Sequence, residues 1–178
     1  MPGPGAPVRC VVALGANLGD RPAVLRAAVA GLAATPGITV AACSPVVETR
    51  SVGGPRDSPD YLNAVVELAT ELTPLQVLEA CQRIENEHGR TREVRWGPRT
   101  LDLDVVCFEG VRSADPRLLL PHPRAAQRAF VLVPWALMDP HAALEGTPVR
   151  ELARTAADRA GLTVTDHALR PEEPPCDT

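Results

Sequence analysis

Strand-like and helix-like hydrophobic patterns follow one another in a fixed order along the first 108 residues of the chain. The strand-like runs cover residues 8–14, 38–47, 61–72 and 101–108, and the helix-like runs cover residues 21–35 and 74–88. The order is therefore strand, helix, strand, strand, helix, strand, which is the βαββαβ pattern of a ferredoxin-like sandwich. It predicts an α+β domain in which both helices cover one face of an antiparallel sheet.

The second helix has the clearest ends. Thr73 is a typical N-cap residue, Pro74 suits the first helical position, and Gly89 is a typical stop. The segment Gly15-Ala-Asn-Leu-Gly19 lacks the third glycine and the lysine of nucleotide-binding fingerprints, so we interpret it as a turn and helix entry.

The region after about residue 141 is predicted to be an addition to this unit. Residues 149–160 have the pattern of a terminal helix, and residues 171–178 have the composition of a disordered tail. We expect a single domain over residues 1–170.

The basic residues constrain the chemistry, because all 18 are arginine and none is lysine. A Schiff base and a phosphate loop ending in Gly-Lys-Ser/Thr both need a lysine amine and are therefore excluded. The net charge of −4 argues against a general nucleic-acid-binding surface, although a local arginine cluster could hold phosphates.

Cysteine spacing and hydropathy indicate the compartment. The five cysteines are widely separated, with no C-x-x-C pair, so we expect free thiols and no zinc site. No uncharged apolar run approaches the roughly 18 residues of a membrane span, and the first ten residues lack a signal-peptide pattern. We expect a cytoplasmic protein.

Asp102 and Asp104 are two residues apart on a predicted strand, so their side chains leave the same face about 6–7 Å apart. Such a carboxylate pair can hold one magnesium ion or two. The alternative is a solvated acidic strand face without a ligand.

Four arginines run directly into this pair: Arg90, Arg92, Arg95 and Arg99. Guanidinium groups bind phosphate oxygens in pairs, and carboxylates can hold magnesium on the same phosphates, so the combination favours polyphosphate transfer. The alternative is an exposed loop whose charges neutralise each other.

Three further sets of residues are less specific candidates for a binding site. Tyr61 and Asn63 share a strand face and offer a stacking surface and an amide for a planar heterocycle, or they form an ordinary edge-strand pair. His122 lies in an extended segment between two prolines, where a lone histidine is usually structural. Gln82 and Glu85 are three apart on the second helix and are predicted to share a face, which either lines a site or forms a polar helix surface.

Taken together, five blocks of this chain resemble the 6-hydroxymethyl-7,8-dihydropterin pyrophosphokinase family of folate biosynthesis, over roughly residues 8 to 140. The blocks, in the family's order, are ALGANLGD, DSPDYLNAVVEL, CQRIENEHGR, RWGPRTLDLDVV and LPHPRAAQRAFVLVP. The ten residues RWGPRTLDLD are the most specific of these matches.

The resemblance implies a role for each matching residue. Asp102 and Asp104 would bind two Mg²⁺ ions that bridge the phosphates of ATP, and Arg92 and Arg95 would act in a catalytic loop. The positions implied around ATP are Gln82, Glu85, Arg90, Arg92, Arg99, His122 and Arg128. The positions implied around the pterin are Thr49, Tyr61, Asn63, Trp96 and Phe130.

The implied reaction is attack of a pterin hydroxymethyl oxygen on the β-phosphorus of ATP, with release of AMP. The implied partners are two small molecules, ATP and a pterin alcohol, with neither nucleic acid nor membrane, and the expected state is a monomer. Two rival hypotheses are a ferredoxin-like nucleic-acid-binding module and a nucleotide-binding regulator without turnover. Release of AMP would separate the three.

Overall fold

A computed structural model describes residues 5–50, 60–88 and 100–170 of the chain. In order, its elements are β1 (Val8–Ala16), α1 (Arg21–Ala33), β2 (Ile38–Cys43), β3 (Val47–Thr49), β4 (Tyr61–Thr70), α2 (Pro74–Glu87), β5 (Asp102–Phe108), β6 (Ser113–Asp115), β7 (Leu118–Leu120), α3 (Ala129–Met138), β8 (Ala143–Leu144), β9 (Thr147–Pro148), α4 (Val149–Thr155) and β10 (Leu162–Val164). Short 3-10 turns cover Ala125–Gln127 and Ala157–Arg159.

The main sheet has the strand order β10-β3-β4-β1-β5, with β2 also paired to β4, and every pairing is antiparallel. β1 lies in the centre between β4 and β5, as the βαββαβ order requires when each helical connection crosses over a neighbouring strand. The predicted ferredoxin-like α+β fold is confirmed.

The run at residues 38–47, predicted as one strand, forms two strands. β2 and β3 lie one after the other along the same edge of β4. At the break, Ser44 N–H donates to the Val65 carbonyl at 2.9 Å and Ser44 Oγ accepts from Val65 N–H at 2.8 Å. Pro45, which has no N–H to donate, follows directly, so the strand ends here.

One face of the sheet packs against α1 and α2. Alternate residues of β1 and β4, including Leu14 and Leu62, join Leu25, Leu32 and Ile84 of the helices in one buried cluster. Gly31 lets the two helices approach closely, because a Cβ there would lie 3.2 Å from the Ile84 side chain. This layer is the two-helix cover that the sequence predicts.

The opposite face is covered as well, by α3 and α4. Val11 and Val65 point to this side and pack with Leu132 and Trp135 of α3 and Val149 of α4. The central strands are therefore buried on both faces, and such strands read as nearly continuous apolar runs rather than alternating ones.

Side chains cap the starts of the first two helices. Asp20 caps α1 by accepting from Ala23 N–H at 3.1 Å. Thr73 and Gln76 form a capping box at α2, with Thr73 Oγ1 accepting from Gln76 N–H and Gln76 Oε1 accepting from Thr73 N–H. The predicted stop at residue 89 lies outside the described residues.

The predicted terminal helix over residues 149–160 is wrong in its second half. α4 ends at Thr155, and the Asp158 carboxylate accepts from Ala129 N–H at 2.9 Å at the start of α3. The chain then returns to the sheet as β10, which pairs with β3. Arg170, at the start of the tail, donates to the Val40 carbonyl, and residues 171–178 lie outside the described residues.

The expectation of free thiols is confirmed for the four cysteines that the structure describes: Cys10, Cys43, Cys81 and Cys107. Burial raises the pKa of Cys81 to about 12 and that of Cys107 to about 11. These thiols remain protonated at neutral pH and are packing groups rather than nucleophiles. Among the described residues, no helix has both the length and the apolar character that crossing a bilayer requires.

The packing of α3 on the sheet can be tested by Trp135→Ala. Trp135 is 3% exposed, whereas Leu137 on the same helix is 52% exposed. We expect Trp135→Ala to lower the free energy of unfolding by about 3–5 kcal/mol, because it leaves a cavity in the second buried cluster. Leu137→Ala should change it by less than about 0.5 kcal/mol. Urea unfolding measures both, and equal losses would contradict the packing of α3.

Candidate functional site

Three residues form a row across the neighbouring strands β4, β1 and β5, near one end of each strand. Asn63 on β4 is paired with Gly15 on β1, and Gly15 is paired with Asp102 on β5. Residues directly opposite each other in an antiparallel sheet point to the same face. With neighbouring strands about 4.8 Å apart, Asn63 and Asp102 lie about 10 Å from each other on one surface.

Three of the residues predicted to contact a pterin, Thr49, Tyr61 and Asn63, lie at one end of this row. Thr49 on β3 is paired with Tyr61 on β4, and Asn63 is two residues further along β4. The Asn63 amide is 6% exposed, and its Nδ2 donates to Thr49 Oγ1 at 3.1 Å. The predicted common face of Tyr61 and Asn63 is confirmed by the strand register.

A glycine is needed at position 15, where the row crosses β1, because the Asn63 side chain lies against it. The interpretation of Gly15 as a turn residue did not predict this role. Gly15 and Ala16 are the last residues of β1, so the predicted turn begins later. A Cβ at Gly15 would lie 2.9 Å from Asn63 Oδ1, closer than real contacts allow. The sequence signal was a lone glycine inside an apolar run, which is typical of close approach by another group.

The acidic pair lies at the other end of the row. Asp102 is partly exposed and Asp104 is exposed, whereas Leu101, Leu103 and Val105 are buried against the first two helices. The predicted alternation of this strand is confirmed. Both carboxylates therefore leave β5 on the face that carries Asn63.

Glu85 supports this strand from below. The Glu85 side chain is buried at 4% exposure, and its Oε1 accepts from Leu103 N–H, between the two aspartates, at 2.8 Å. Gln82, by contrast, is exposed. Residues three apart differ by about 60° around a helix, and the edge of the buried stripe falls between Gln82 and Glu85.

His122 lies beside β5, close to Asp104. Its N–H donates to the Val106 carbonyl at 2.7 Å, and its Nδ1 accepts from Arg124 N–H at 3.2 Å. Burial lowers the pKa of His122; Asp104 acts in the opposite direction, and Arg128 and Arg124 reinforce the lowering. When the ring is neutral, Nδ1 is the acceptor and the hydrogen is on Nε2, where it can donate to a ligand.

Arg128 and Phe130 form the border of the site on the side of α3. The Arg128 guanidinium lies over the Phe130 ring, 5.5 Å from its centre, which is within cation–π range. Phe130 is in the first turn of α3, and α3 packs on β4 and β3. Phe130 therefore lies on the face of the sheet that carries Tyr61 and Thr49.

The remaining predicted site residues lie outside the described residues: Arg90, Arg92, Arg95, Trp96 and Arg99. Over residues 5–50, 60–88 and 100–170, no group of three or more histidine, cysteine or acidic side chains is arranged to hold a metal ion. The Asp102 and Asp104 carboxylates, on the same face of β5, are the residues of the row that could hold a cation.

The support that Glu85 gives to β5 can be measured as stability. We expect Glu85→Ala to lower the free energy of unfolding by about 1–3 kcal/mol, because it leaves the Leu103 N–H buried without this acceptor. Gln82→Ala, on the exposed side of the same helix, should change it by less than about 0.5 kcal/mol. Urea unfolding of both variants checks this, and a Glu85→Ala variant as stable as Gln82→Ala would contradict it.

Comparison with known proteins identifies the family. The family model described as "7,8-dihydro-6-hydroxymethylpterin-pyrophosphokinase (HPPK)" matches residues 11–140. The 2-amino-4-hydroxy-6-hydroxymethyldihydropteridine pyrophosphokinase of Methylorubrum extorquens is 47% identical over 154 residues, which are 86% of this chain and 96% of that protein. The protein of the same name from Bacillus subtilis is 50% identical over 125 residues, which are 70% of this chain and 74% of that protein.

Solved structures agree on the fold. A crystal structure of Plasmodium falciparum HPPK-DHPS with pteroate superposes with a TM-score of 0.65 at 11% identity and covers 91% of this chain. This chain spans 47% of that longer chain, slightly under half its length. A structural similarity at 11% sequence identity shows only that the fold is shared. The sequence matches establish that the chain belongs to the 7,8-dihydro-6-hydroxymethylpterin-pyrophosphokinase family.

Proposed function

We propose that this protein transfers pyrophosphate from ATP to the hydroxymethyl group of 6-hydroxymethyl-7,8-dihydropterin and releases AMP. The observation that carries the proposal is the row of Asn63, Gly15 and Asp102, which joins a polar heterocycle site to an acidic pair on one sheet face. Membership of a pyrophosphokinase family supports the same reaction.

The pterin would bind at the Asn63 end of the row. The Asn63 amide offers its Oδ1 and a second Nδ2 hydrogen, because only one hydrogen is given to Thr49. Such an amide matches the alternating donors and acceptors along the edge of a pterin. Tyr61 and Phe130 would stack on the two faces of the ring, and Gly15 would leave room for the Asn63 amide beneath it.

The chemistry of Asp102 and Asp104 fits magnesium. Mg²⁺ is usually held by one or two carboxylates, with water and substrate phosphates completing its shell, so two aspartates suffice when ATP supplies the remaining oxygens. We propose that they hold two ions. When bound, Mg²⁺ neutralises negative charge on the phosphates.

The protein's own contribution would be positioning and charge neutralisation. The hydroxymethyl oxygen forms a bond to the β-phosphorus and gives up its proton to solvent. The bond from that phosphorus to the oxygen bridging to the α-phosphate breaks, and AMP leaves with the bonding electrons. Since the charge spreads over phosphate oxygens, donors aimed at them lower the barrier. His122 Nε2–H and Arg128 would be such donors, together with Arg90, Arg92, Arg95 and Arg99.

We further propose that residues 1–170 form one domain and that the protein acts as a cytoplasmic monomer on small molecules, without nucleic acid or membrane. The four free thiols in the described part of the chain fit a reducing compartment. Size-exclusion chromatography with light scattering tests the monomer, and a mass near 38 kDa, about twice the chain mass of 18.9 kDa, would contradict it.

Asp104→Asn tests the acidic pair. We expect AMP release to fall at least about 100-fold, because the change removes a charged oxygen ligand of the metal. The fold should remain intact, since Asp104 is exposed. The matched control is Asp166→Asn, the same change at another exposed aspartate. A coupled assay for AMP with Mg²⁺, ATP and hydroxymethyl-dihydropterin measures both, and full activity in Asp104→Asn would refute the metal assignment.

Gly15→Ala tests the pterin end of the row. The added Cβ would press on Asn63 Oδ1, and such overpacking costs roughly 1–3 kcal/mol. We expect pterin affinity to fall about tenfold, with ATP affinity unchanged. Isothermal titration with each ligand separates the two, and equal losses of both affinities would count against the assignment of Asn63.

A further inference from the structure

Arg21 of α1 joins two strands of the site. Its Nη1 lies 3.1 Å from Glu48 Oε2 on β3 and donates to the Asp60 carbonyl at 2.5 Å. Glu48 directly precedes Thr49, and Asp60 directly precedes Tyr61. One guanidinium nitrogen therefore connects the residues next to both members of the Thr49–Tyr61 pair.

This contact lies on the opposite side of the sheet from the site. Glu48 is paired with Leu62, whose side chain is buried in the cluster with α1 and α2. Successive side chains along a strand point to opposite faces, so Thr49 and Tyr61 face the other way. Arg21 thus connects β3 to the start of β4 on the side of the sheet that carries α1 and α2, and it need not touch a ligand.

The strand that Arg21 holds, β3, is short. β3 has three residues, and β10, its neighbour on the outer side, also has three. Strands this short form few ladder hydrogen bonds, so an additional contact has a large share in fixing their position. The Arg21 contact adds a charged hydrogen bond at the point where the β3–β4 ladder ends.

The position of Arg21 in its own helix is unfavourable, which points to a tertiary role. Arg21 is the first residue of α1, next to the capping residue Asp20. A cation at the first turn is disfavoured by the helix dipole. A residue that conflicts with its local structure is often held for contacts elsewhere, and Arg21 has two such contacts.

We propose that Arg21 is a positioning residue for the pterin: by joining Glu48 to the Asp60 carbonyl it fixes Thr49 and Tyr61 at the spacing that the pterin needs. The inference rests on the proposed function, in which these two residues bind the pterin. Exposed ion pairs often contribute nothing measurable. The Arg21 side chain is 27% exposed and also binds a backbone carbonyl, so its contact is more constrained than such pairs.

The test compares Arg21→Ala and Arg21→Lys with Arg26→Ala, an exposed arginine of the same helix. For each variant, titration gives the Kd of 6-hydroxymethylpterin and of a nonhydrolysable ATP analogue, and steady-state assays give kcat and both KM values. Arg21→Ala should raise the Kd and KM of the pterin about three- to tenfold. Its ATP affinity and kcat should stay within about twofold.

The conservative variant and the control sharpen the result. Arg21→Lys should recover most of the pterin affinity, because a single ammonium can reach the two acceptors that Nη1 now contacts. Arg26→Ala should match the wild type. Glu48→Gln keeps Arg21 and its bond to the Asp60 carbonyl but removes the charge pair, and it should also weaken pterin binding. It provides the test if Arg21→Ala fails to fold.

Two outcomes would overturn the inference. Unchanged pterin affinity in both Arg21→Ala and Glu48→Gln would show that the contact does not position the site. Equal losses of pterin and ATP affinity, with a lower Tm, would show a general structural role. A wild-type protein that binds ATP but no pterin would instead overturn the proposed function itself, which distinguishes the two failures.

Discussion

The register of β1 between β4 and β5 is the constraint on which the rest of the site depends. It brings Asn63, Gly15 and Asp102 into one row, although they come from three separate parts of the chain. A slip of one residue would turn these side chains to the opposite face. Burial of the central strands on both faces resists such a slip, because each buried side chain would have to leave the cluster in which it is packed and enter the other one.

Support for the site comes from the helix layer on its far side. Glu85 of α2 accepts from the backbone of β5 between the two aspartates, and Arg21 of α1 holds β3 to the start of β4. Each helix thus contributes one charged side chain that fixes a different end of the row. The opposite face of the sheet is thereby left to the residues that would contact the ligands. Rigid sites are generally built in this way, with a second layer of residues that holds the contacting residues in place.

Local signals in the sequence predicted the parts of the fold that local interactions determine. The Thr73–Pro74 start of α2 and the alternation around Asp102 and Asp104 needed only neighbouring residues, and both are confirmed. The different burial of Gln82 and Glu85 could not be predicted, because it depends on where α2 meets β5. The role of Gly15 likewise depends on Asn63, which reaches it from another strand.

The most direct test of this account is a crystal structure with Mn²⁺, a nonhydrolysable ATP analogue and 6-hydroxymethylpterin bound together. Anomalous scattering would locate the metal independently of the protein model. The account predicts manganese beside the Asp102 and Asp104 carboxylates, with the pterin edge against the Asn63 amide above Gly15. Manganese bound away from both aspartates, or a pterin on the opposite face of the sheet, would contradict it.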